Sequence, residues 1–149
     1  MKIILATDGS KYSKAAVDEV ANRQFPHGTE VRIISVVDKA ALASYAGSST
    51  ELKDFYSQAG KHALKIAEDG IEYASKILQK KNPSLLVTTA LIDGSPKTAI
   101  LNEIERYGAD LIVVGSNGQD NQATEHYMLG SVSHAVAWYA KCSVEIVRK

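Results

Sequence analysis

The segment DLIVVGSNG at residues 110–118 is the stretch that most strongly indicates the fold. After Asp110, the residues Leu-Ile-Val-Val form a continuous apolar run that ends at Gly115, which is typical of a strand buried on both faces, as in a parallel sheet. Glycine follows the strand at once, at Gly115 and again at Gly118. Such glycines either turn the chain or let the bare backbone approach a ligand.

Four further segments are predicted to be strands because each is a short run rich in apolar residues. They are KIILAT (2–7), EVRIISVV (30–37), LLVTTALI (85–92) and SVEIVR (143–148). Helical patterns separate the strands along the whole chain. Five strands alternating with four helices predict a doubly wound α/β fold of the Rossmann-like kind: a five-stranded parallel sheet with helices on both faces.

The helices are predicted from apolar spacing and end signals. The first places Ala16, Val17, Val20 and Ala21 at helical intervals. A long second helix runs from about Leu52 to Leu78, and Gly60 and Gly70 are expected to weaken, break or bend it. Its apolar face is predicted to hold Phe55, Ala59, Ala63, Ile66, Ala67, Ala74 and Ile77. Ser95-Pro96 marks the start of the third helix and Gly108 its left-handed cap, and residues 130–141 form the fourth.

Composition limits the class of protein. The chain has 149 residues, of which 45% are apolar, which suits a single domain over residues 1–149. Seventeen basic residues balance seventeen acidic ones, so the net charge favours neither a nucleic-acid partner nor an anionic membrane. A neutral small protein is expected to associate with itself.

The chain shows no signal for export or membrane insertion. The start, MKIILATDGS, contains too few consecutive apolar residues for the hydrophobic region of a signal peptide, and we expect a cytoplasmic protein. The single cysteine, Cys142, excludes an internal disulfide and is interpreted as a small core residue. The four histidines lack metal-ligand spacing, and whether a metal binds is left unknown.

Open α/β sheets bind ligands beyond the carboxyl ends of their strands, where the strand order reverses. That rule selects Thr7-Asp8-Gly9, Val37-Asp38, Asp93-Gly94 and Gly115 to Gly118. The start of the last helix, Gly130-Ser131-Val132-Ser133, could bind an anion through backbone N–H groups. The alternative is structural: Ser131 or Ser133 caps the helix, and the glycines only turn the chain.

Catalytic chemistry has little support in the sequence. No Walker motif or dinucleotide fingerprint is present. Asp8 has no acid or base partner beside it in sequence, and Ser10 and Ser13 are interpreted as residues of a helix start. We therefore predict no catalytic residue.

Four motifs together give a specific resemblance. They are Thr7-Asp8-Gly9-Ser10 after the first strand, Gly94-x-Pro96 with Ile100, Ala109-Asp110 leading into the strand that ends at Gly115, and the segment Gly115-x-x-Gly118 to Gly130-Ser131. Over essentially its whole length the chain resembles the universal stress protein family.

The resemblance implies a regulatory stress-response protein that binds ATP in the manner of the family's nucleotide-binding branch and is at most a slow ATPase. It assigns Ala6, Thr7, Asp8 and Val36 to the nucleoside, and Gly115, Gly118, Gly130, Ser131, Val132 and Ser133 to the ribose and phosphates. It also implies a homodimer paired through the last strand, Val144 to Val147. The alternative is a dimeric interaction module that binds no nucleotide and uses the glycine-segment loop and residues 40–60 as partner surfaces.

The chain departs from the family pattern between Gly118 and Gly130. Eleven residues stand there, where the usual pattern has nine, and they include Asp120 and Glu125 but no basic residue other than His126. Carboxylates near a triphosphate repel it unless a divalent cation intervenes. We expect weak ATP binding that depends on Mg²⁺, and tighter ATP binding when Asp120 and Glu125 become Asn and Gln.

Overall fold

A computed structural model describes residues 1–44, 47, 49–118 and 128–148. These residues form five strands and five helices, which alternate except that α2 and α3 are consecutive. In chain order they are β1 (Lys2–Ala6), α1 (Lys11–Asn22), β2 (Glu30–Val37), α2 (Lys39–Ser44), α3 (Thr50–Lys81), β3 (Leu86–Asp93), α4 (Pro96–Tyr107), β4 (Leu111–Gly115), α5 (Ser131–Tyr139) and β5 (Ser143–Val147).

The strands form one sheet in the order β3-β2-β1-β4-β5, and every neighbouring pair is parallel. Ile3 of β1 lies beside Val31 on one side and Leu111 on the other. The chain winds outward from β1 in both directions, so the strand order reverses between β1 and β4. The predicted doubly wound fold is confirmed, and the reversal creates a crevice beyond the ends of β1 and β4, the position at which sheets of this kind generally bind ligands.

Alternating side chains of the central strands build a core on each face of the sheet. On one face, Ile3 and Leu5 of β1 pack in a cluster with Val17 and Val20 of α1 and with Leu78 of α3. On the other, Ile4 packs with residues of α4 and α5. The central strands are therefore apolar on both sides, as the sequence predicted.

The edges of the fold differ from the sequence predictions in three places. The small-residue stretch after β2 forms the short helix α2, which was not predicted. Helix α3 runs unbroken through Gly60 and Gly70, and its predicted apolar face is buried only in the second half, so that Phe55 is 64% exposed. The edge strand β3 is not covered on both faces, because its Leu86 is 57% exposed.

A buried carboxylate ties α4 to the sheet. Glu103 of α4 is 5% exposed, and one carboxylate oxygen accepts a 2.7 Å hydrogen bond from Nε of Arg32 on β2. Its other oxygen accepts from Nε and NH2 of Arg106, at 2.9 and 2.7 Å. The guanidinium of Arg32 also lies over the ring of Tyr107. Both oxygens of this buried charge are thereby compensated.

Arg32→Met should lower the free energy of unfolding by about 3 kcal/mol, because one oxygen of the buried Glu103 carboxylate loses its charged partner while Arg106 still bonds the other. Arg106→Met is the matched control: its side chain is 70% exposed, so its loss should cost about 1 kcal/mol or less. Urea unfolding followed by circular dichroism measures both changes. Equal effects of the two substitutions would contradict the buried role of Arg32.

Across the residues with described structure, no helix combines the length and the apolar character that crossing a bilayer requires.

Candidate functional site

The turn after β1 is held by its own side chains. The Thr7 N–H continues the ladder to the carbonyl of Ile34 at 2.9 Å, and the buried Thr7 hydroxyl accepts from the N–H of Gly9 and donates to Ser13. Asp8 Oδ1 accepts from the N–H of Ser10 at 2.9 Å. Gly9 has φ of 78°, a conformation that favours glycine. Thr7, which was predicted to contact the nucleoside, therefore stabilises the turn through its hydrogen bonds.

Ser10 and Ser13 form the start of α1, as predicted. The Ser10 side chain accepts from the Ser13 N–H at 3.2 Å, and the Ser13 hydroxyl donates to the Ser10 carbonyl at 3.0 Å. Both residues are buried. Their polar groups serve the helix cap, which is the role that the sequence indicated.

Helix α3 touches the same turn at Gly70, which the sequence analysis interpreted only as a weak point of that helix. A Cβ placed on Gly70 would lie 3.3 Å from the Gly9 nitrogen and 3.5 Å from the Thr7 hydroxyl oxygen. Gly70 is buried, so glycine lets α3 pack directly on the backbone that carries Asp8. The signal in the sequence was the glycine itself, inside an otherwise regular helical pattern.

Gly115 at the end of β4 is required by packing. A Cβ there would lie 2.6 Å from the carbonyl carbon of Tyr12 and 2.9 Å from the nitrogen of Ser13, both in the backbone of α1. The resemblance assigned Gly115 to the ribose and phosphates. Its geometry shows a sufficient structural reason for glycine before any ligand is considered.

Gly118 and Asp8 come together across the crevice. A Cβ on Gly118 would lie 2.9 Å from Oδ2 of Asp8. These two residues follow β4 and β1, the strands between which the strand order reverses. The Asp8 carboxylate therefore lies where the sequence rule placed the ligand crevice.

The start of α5 is fixed to the end of β4 by one carbonyl. Ser116 is 4% exposed, and its carbonyl accepts from the N–H of Gly130 at 2.8 Å and from the hydroxyl of Ser133 at 2.9 Å. A Cβ on Gly130 would lie 3.1 Å from Cα of Asn117. The two ends of the glycine segment thus meet. Sequence analysis missed Ser116 and Asn117, although they are the two residues between Gly115 and Gly118.

The first turn of α5 presents backbone donors. Gly130 is the N-cap residue, and no described side chain caps the helix. The first intrahelical bond runs from His134 to the Gly130 carbonyl, so the N–H groups of Ser131, Val132 and Ser133 have no partner among the described residues. Such a helix end attracts anions. The interpretation that Ser131 or Ser133 caps the helix is wrong, because no described side chain accepts a hydrogen bond from the first-turn N–H groups. The Ser133 hydroxyl instead donates to the carbonyls of Ser116 and Gly130.

Strand β2 extends past β1 into the crevice. Its ladder to β1 ends with the bond from Thr7 to Ile34, one residue beyond Ala6. Because backbone groups alternate along a strand, the N–H and carbonyl of Val36 point to the same side as those of Ile34, where β1 has ended. Ala6 and Val36 are both half-buried. The backbone of Val36 is therefore suited to contact a ligand.

The other two predicted edge positions belong to α2. Asp38 Oδ1 accepts from the N–H of Ala41 at 2.8 Å, and Asp93 Oδ1 accepts from the N–H of Lys39 at 3.1 Å. Both acids therefore satisfy backbone groups at the start of α2. Asp38 follows β2 and Asp93 is the last residue of β3, so both lie on the side of β1 away from the strand-order reversal.

Neither the single cysteine nor the described metal-binding types of side chain form a reactive site. Burial raises the pKa of the Cys142 thiol, and this side chain packs against the core on the α4 and α5 face. It is partly exposed, yet the raised pKa disfavours the reactive thiolate. Among the residues described, no group of three or more histidine, cysteine or carboxylate side chains is arranged to hold a metal ion.

Several predictions concern residues that lie outside the described ranges. Asp120, Glu125 and His126 all fall between residues 119 and 127. The expectations for their charge near a phosphate therefore stay predictions. Tyr45 in the 40–60 segment lies outside the described residues as well.

Solved structures with the same fold cover nearly all of the chain. The universal stress protein UspA from Lactobacillus plantarum has a TM-score of 0.79 at 23% identity, over 99% of this chain and 97% of that one. A family member from Arabidopsis thaliana, solved with AMP bound, has a TM-score of 0.63 at 18% identity, over 100% and 92% of the two chains. One from Archaeoglobus fulgidus, in complex with dAMP, has 0.64 at 18%, over 98% and 96%.

Sequence comparison agrees over the full length. Universal stress protein YxiE from Bacillus subtilis is 30% identical over 153 aligned residues, which cover 99% of this chain and 98% of that one. The model of the family described as "Universal stress protein family" matches residues 1–148. These matches span β1 to β5 and every part of the crevice. The chain belongs to the universal stress protein family.

Proposed function

We propose that this protein is an adenine-nucleotide-binding regulatory protein that takes ATP in the crevice between β1 and β4. The observation that carries the proposal is the start of α5, whose first-turn N–H groups have no partner among the described residues and which is fixed beside Asn117 and Gly118. Three convergent backbone donors at a helix N-terminus suit a phosphate chain.

The nucleoside end of the proposed site is supplied by β1 and β2. Asp8 lies against Gly118 and offers a carboxylate acceptor for hydroxyl or amino groups. The Val36 backbone, freed where β1 ends, offers one donor and one acceptor toward the base. The solved relatives with AMP and dAMP support an adenine nucleotide as the ligand class. ATP, with Mg²⁺ on its phosphates, is our choice within that class.

Nucleotide binding is tested first on the protein as purified. We expect denatured protein to release adenine nucleotide into the supernatant, detectable by ion-exchange chromatography at 260 nm. Calorimetric titration of protein freed of nucleotide should then show saturable ATP binding that strengthens with Mg²⁺. If no nucleotide is released and millimolar ATP gives no heat, the interaction module becomes the better interpretation.

We propose further that two copies pair through β5. This strand is at the edge of the sheet, so one side of Val144–Val147 has no neighbouring strand in the described chain. Trp138 and Tyr139, just before it, are 75% and 65% exposed, an unusual degree for large aromatic residues. An identical strand can satisfy the free backbone groups while these rings become buried.

Light scattering after size exclusion should report twice the chain mass of 16.1 kDa. Val144→Pro and Ile146→Pro remove backbone donors from β5 and should shift the protein toward monomer. Val87→Pro on the opposite edge strand, β3, is the control and should leave the mass unchanged. A monomeric wild type at tens of micromolar would contradict pairing of any kind.

The alternative, an interaction module, has one feature in its favour. Leu52 and Phe55 in the first half of α3 are 47% and 64% exposed. They lie in the 40–60 segment that the sequence analysis suggested as a partner surface. This feature is compatible with nucleotide binding, because neither residue belongs to the crevice between β1 and β4.

A further inference from the structure

A second concave site lies between α2 and the first half of α3, separate from the crevice. It is an open groove with a volume of about 450 Å³, within the range of about 300–1,000 Å³ typical of small-molecule sites. Its apolar lining comes from Leu42 of α2 and from Tyr56, Gly60 and Leu64 of α3. We call this site the α2–α3 groove. It shares no residue with the proposed nucleotide site.

The spacing of α3 explains why the groove is open. Tyr56, Gly60 and Leu64 are four residues apart and therefore lie along one face of the helix. The central one is glycine, and a Cβ there would meet only Leu42 Cδ1, at 3.8 Å, an ordinary contact. A larger side chain at residue 60 would occupy the space between the two helices.

Three lysines border this apolar lining: Lys39 of α2 and Lys53 and Lys61 of α3. None of the described residues that line the groove is acidic. None of the three lysines forms an ion pair with a described residue, and no acid stands three or four positions from Lys53 or Lys61 on the helix.

Two lysines farther along α3 show the contrast. Lys65 bonds Asp69 at 3.0 Å and Lys76 bonds Glu72 at 2.6 Å, each with its partner four residues away. Lys53 and Lys61, the two lysines of α3 that line the groove, therefore carry positive charge that no ion pair with a described residue offsets. An apolar floor bordered by unpaired cations is complementary to a molecule with an apolar tail and an anionic head.

We propose that the α2–α3 groove binds a single-chain amphipathic anion, a fatty carboxylate. Its alkyl chain would lie over Leu42, Tyr56 and Leu64, where burial of methylene groups supplies the affinity. Its carboxylate would lie among Lys39, Lys53 and Lys61. This assigns the protein a second ligand class in addition to the proposed nucleotide.

Decanoate, titrated calorimetrically below its micelle concentration, is the probe. We expect saturable binding of one molecule per chain. Gly60→Leu should weaken it at least tenfold, because the new side chain fills the groove. Gly60→Ala is the matched control and should stay within about twofold, since its Cβ makes only an ordinary contact.

The charge requirement is tested separately. Lys53→Gln with Lys61→Gln should weaken decanoate about fivefold, in line with two solvent-exposed ion pairs. Lys65→Gln with Lys76→Gln, on the same helix but outside the groove, should change it less than twofold. Decan-1-ol, with the same chain and no charge, should bind about fivefold more weakly than decanoate.

The outcomes that overturn the proposal are distinct. Absence of decanoate binding to wild type, or equal affinity in wild type and Gly60→Leu, excludes the groove as the site. If the two double-lysine variants bind decanoate with equal affinity, or if wild type binds decanol as tightly as decanoate, recognition of the anion is excluded. Circular dichroism confirms folding of each variant, and the lysine pairs lie on exposed positions that do not affect the core.

Discussion

Gly115→Ala should lower the free energy of unfolding by at least about 3 kcal/mol, the upper end of the usual cost of overpacking. The new methyl group would lie 2.6 Å from the carbonyl carbon of Tyr12 and 2.7 Å from its oxygen. These atoms are backbone of α1 and cannot rotate away, so the helix must move off the sheet. A small domain has only about 5–15 kcal/mol of stability in total, and the variant is expected to be marginal.

Urea unfolding monitored by circular dichroism measures this loss. Gly60→Ala is the matched control, because it adds the same methyl group to a helix interior at an ordinary 3.8 Å contact. It should be neutral or stabilise by up to about 1 kcal/mol through helix propensity. A midpoint for Gly115→Ala close to that of wild type would mean that α1 does not press on the end of β4.

Gly118→Val should reduce ATP affinity at least about a hundredfold, which corresponds to about 2.8 kcal/mol. The added Cβ would lie 2.9 Å from Oδ2 of Asp8, so the carboxylate must leave its position and the branched side chain enters the crevice. Gly118 lies outside every helix and strand and does not have a positive φ. The fold should therefore persist while binding is lost.

Calorimetric titration of ATP tests this expectation, with circular dichroism to verify folding. Asp93→Asn is the control: this carboxylate lies at the same edge of the sheet but serves the start of α2. It should bind ATP as wild type does. Wild-type affinity in Gly118→Val would show that the crevice beside Asp8 is not the nucleotide site, and that Gly118 serves only the turn.

The sheet was predictable because a strand that is buried on both faces consists of consecutive apolar residues, a pattern that is visible in the sequence. Runs such as those of β1 and β4 have no polar alternation, and the pattern follows directly from cover by helices on each side. β3 shows the limit of that signal. It reads as a similar apolar run, yet it lies at the edge with Leu86 and Leu91 exposed. A strand's place in the sheet depends on neighbours that its own sequence does not specify.

The candidate site was less predictable, since its main constraints are contacts between distant backbone segments. A glycine in the sequence indicates a missing side chain but not what occupies the space. At Gly115 the occupant is the backbone of α1, and at Gly118 it is the carboxylate of Asp8. Ser116 gave no signal at all, because it acts through its carbonyl, a group that every residue possesses.

The two hydrogen bonds that the Ser116 carbonyl accepts make the stability of the domain largely independent of the residues between Gly118 and Gly130. They join the end of β4 to the start of α5 without using any side chain of the intervening residues. Insertions and changes of charge between Gly118 and Gly130 can therefore accumulate at little cost to stability.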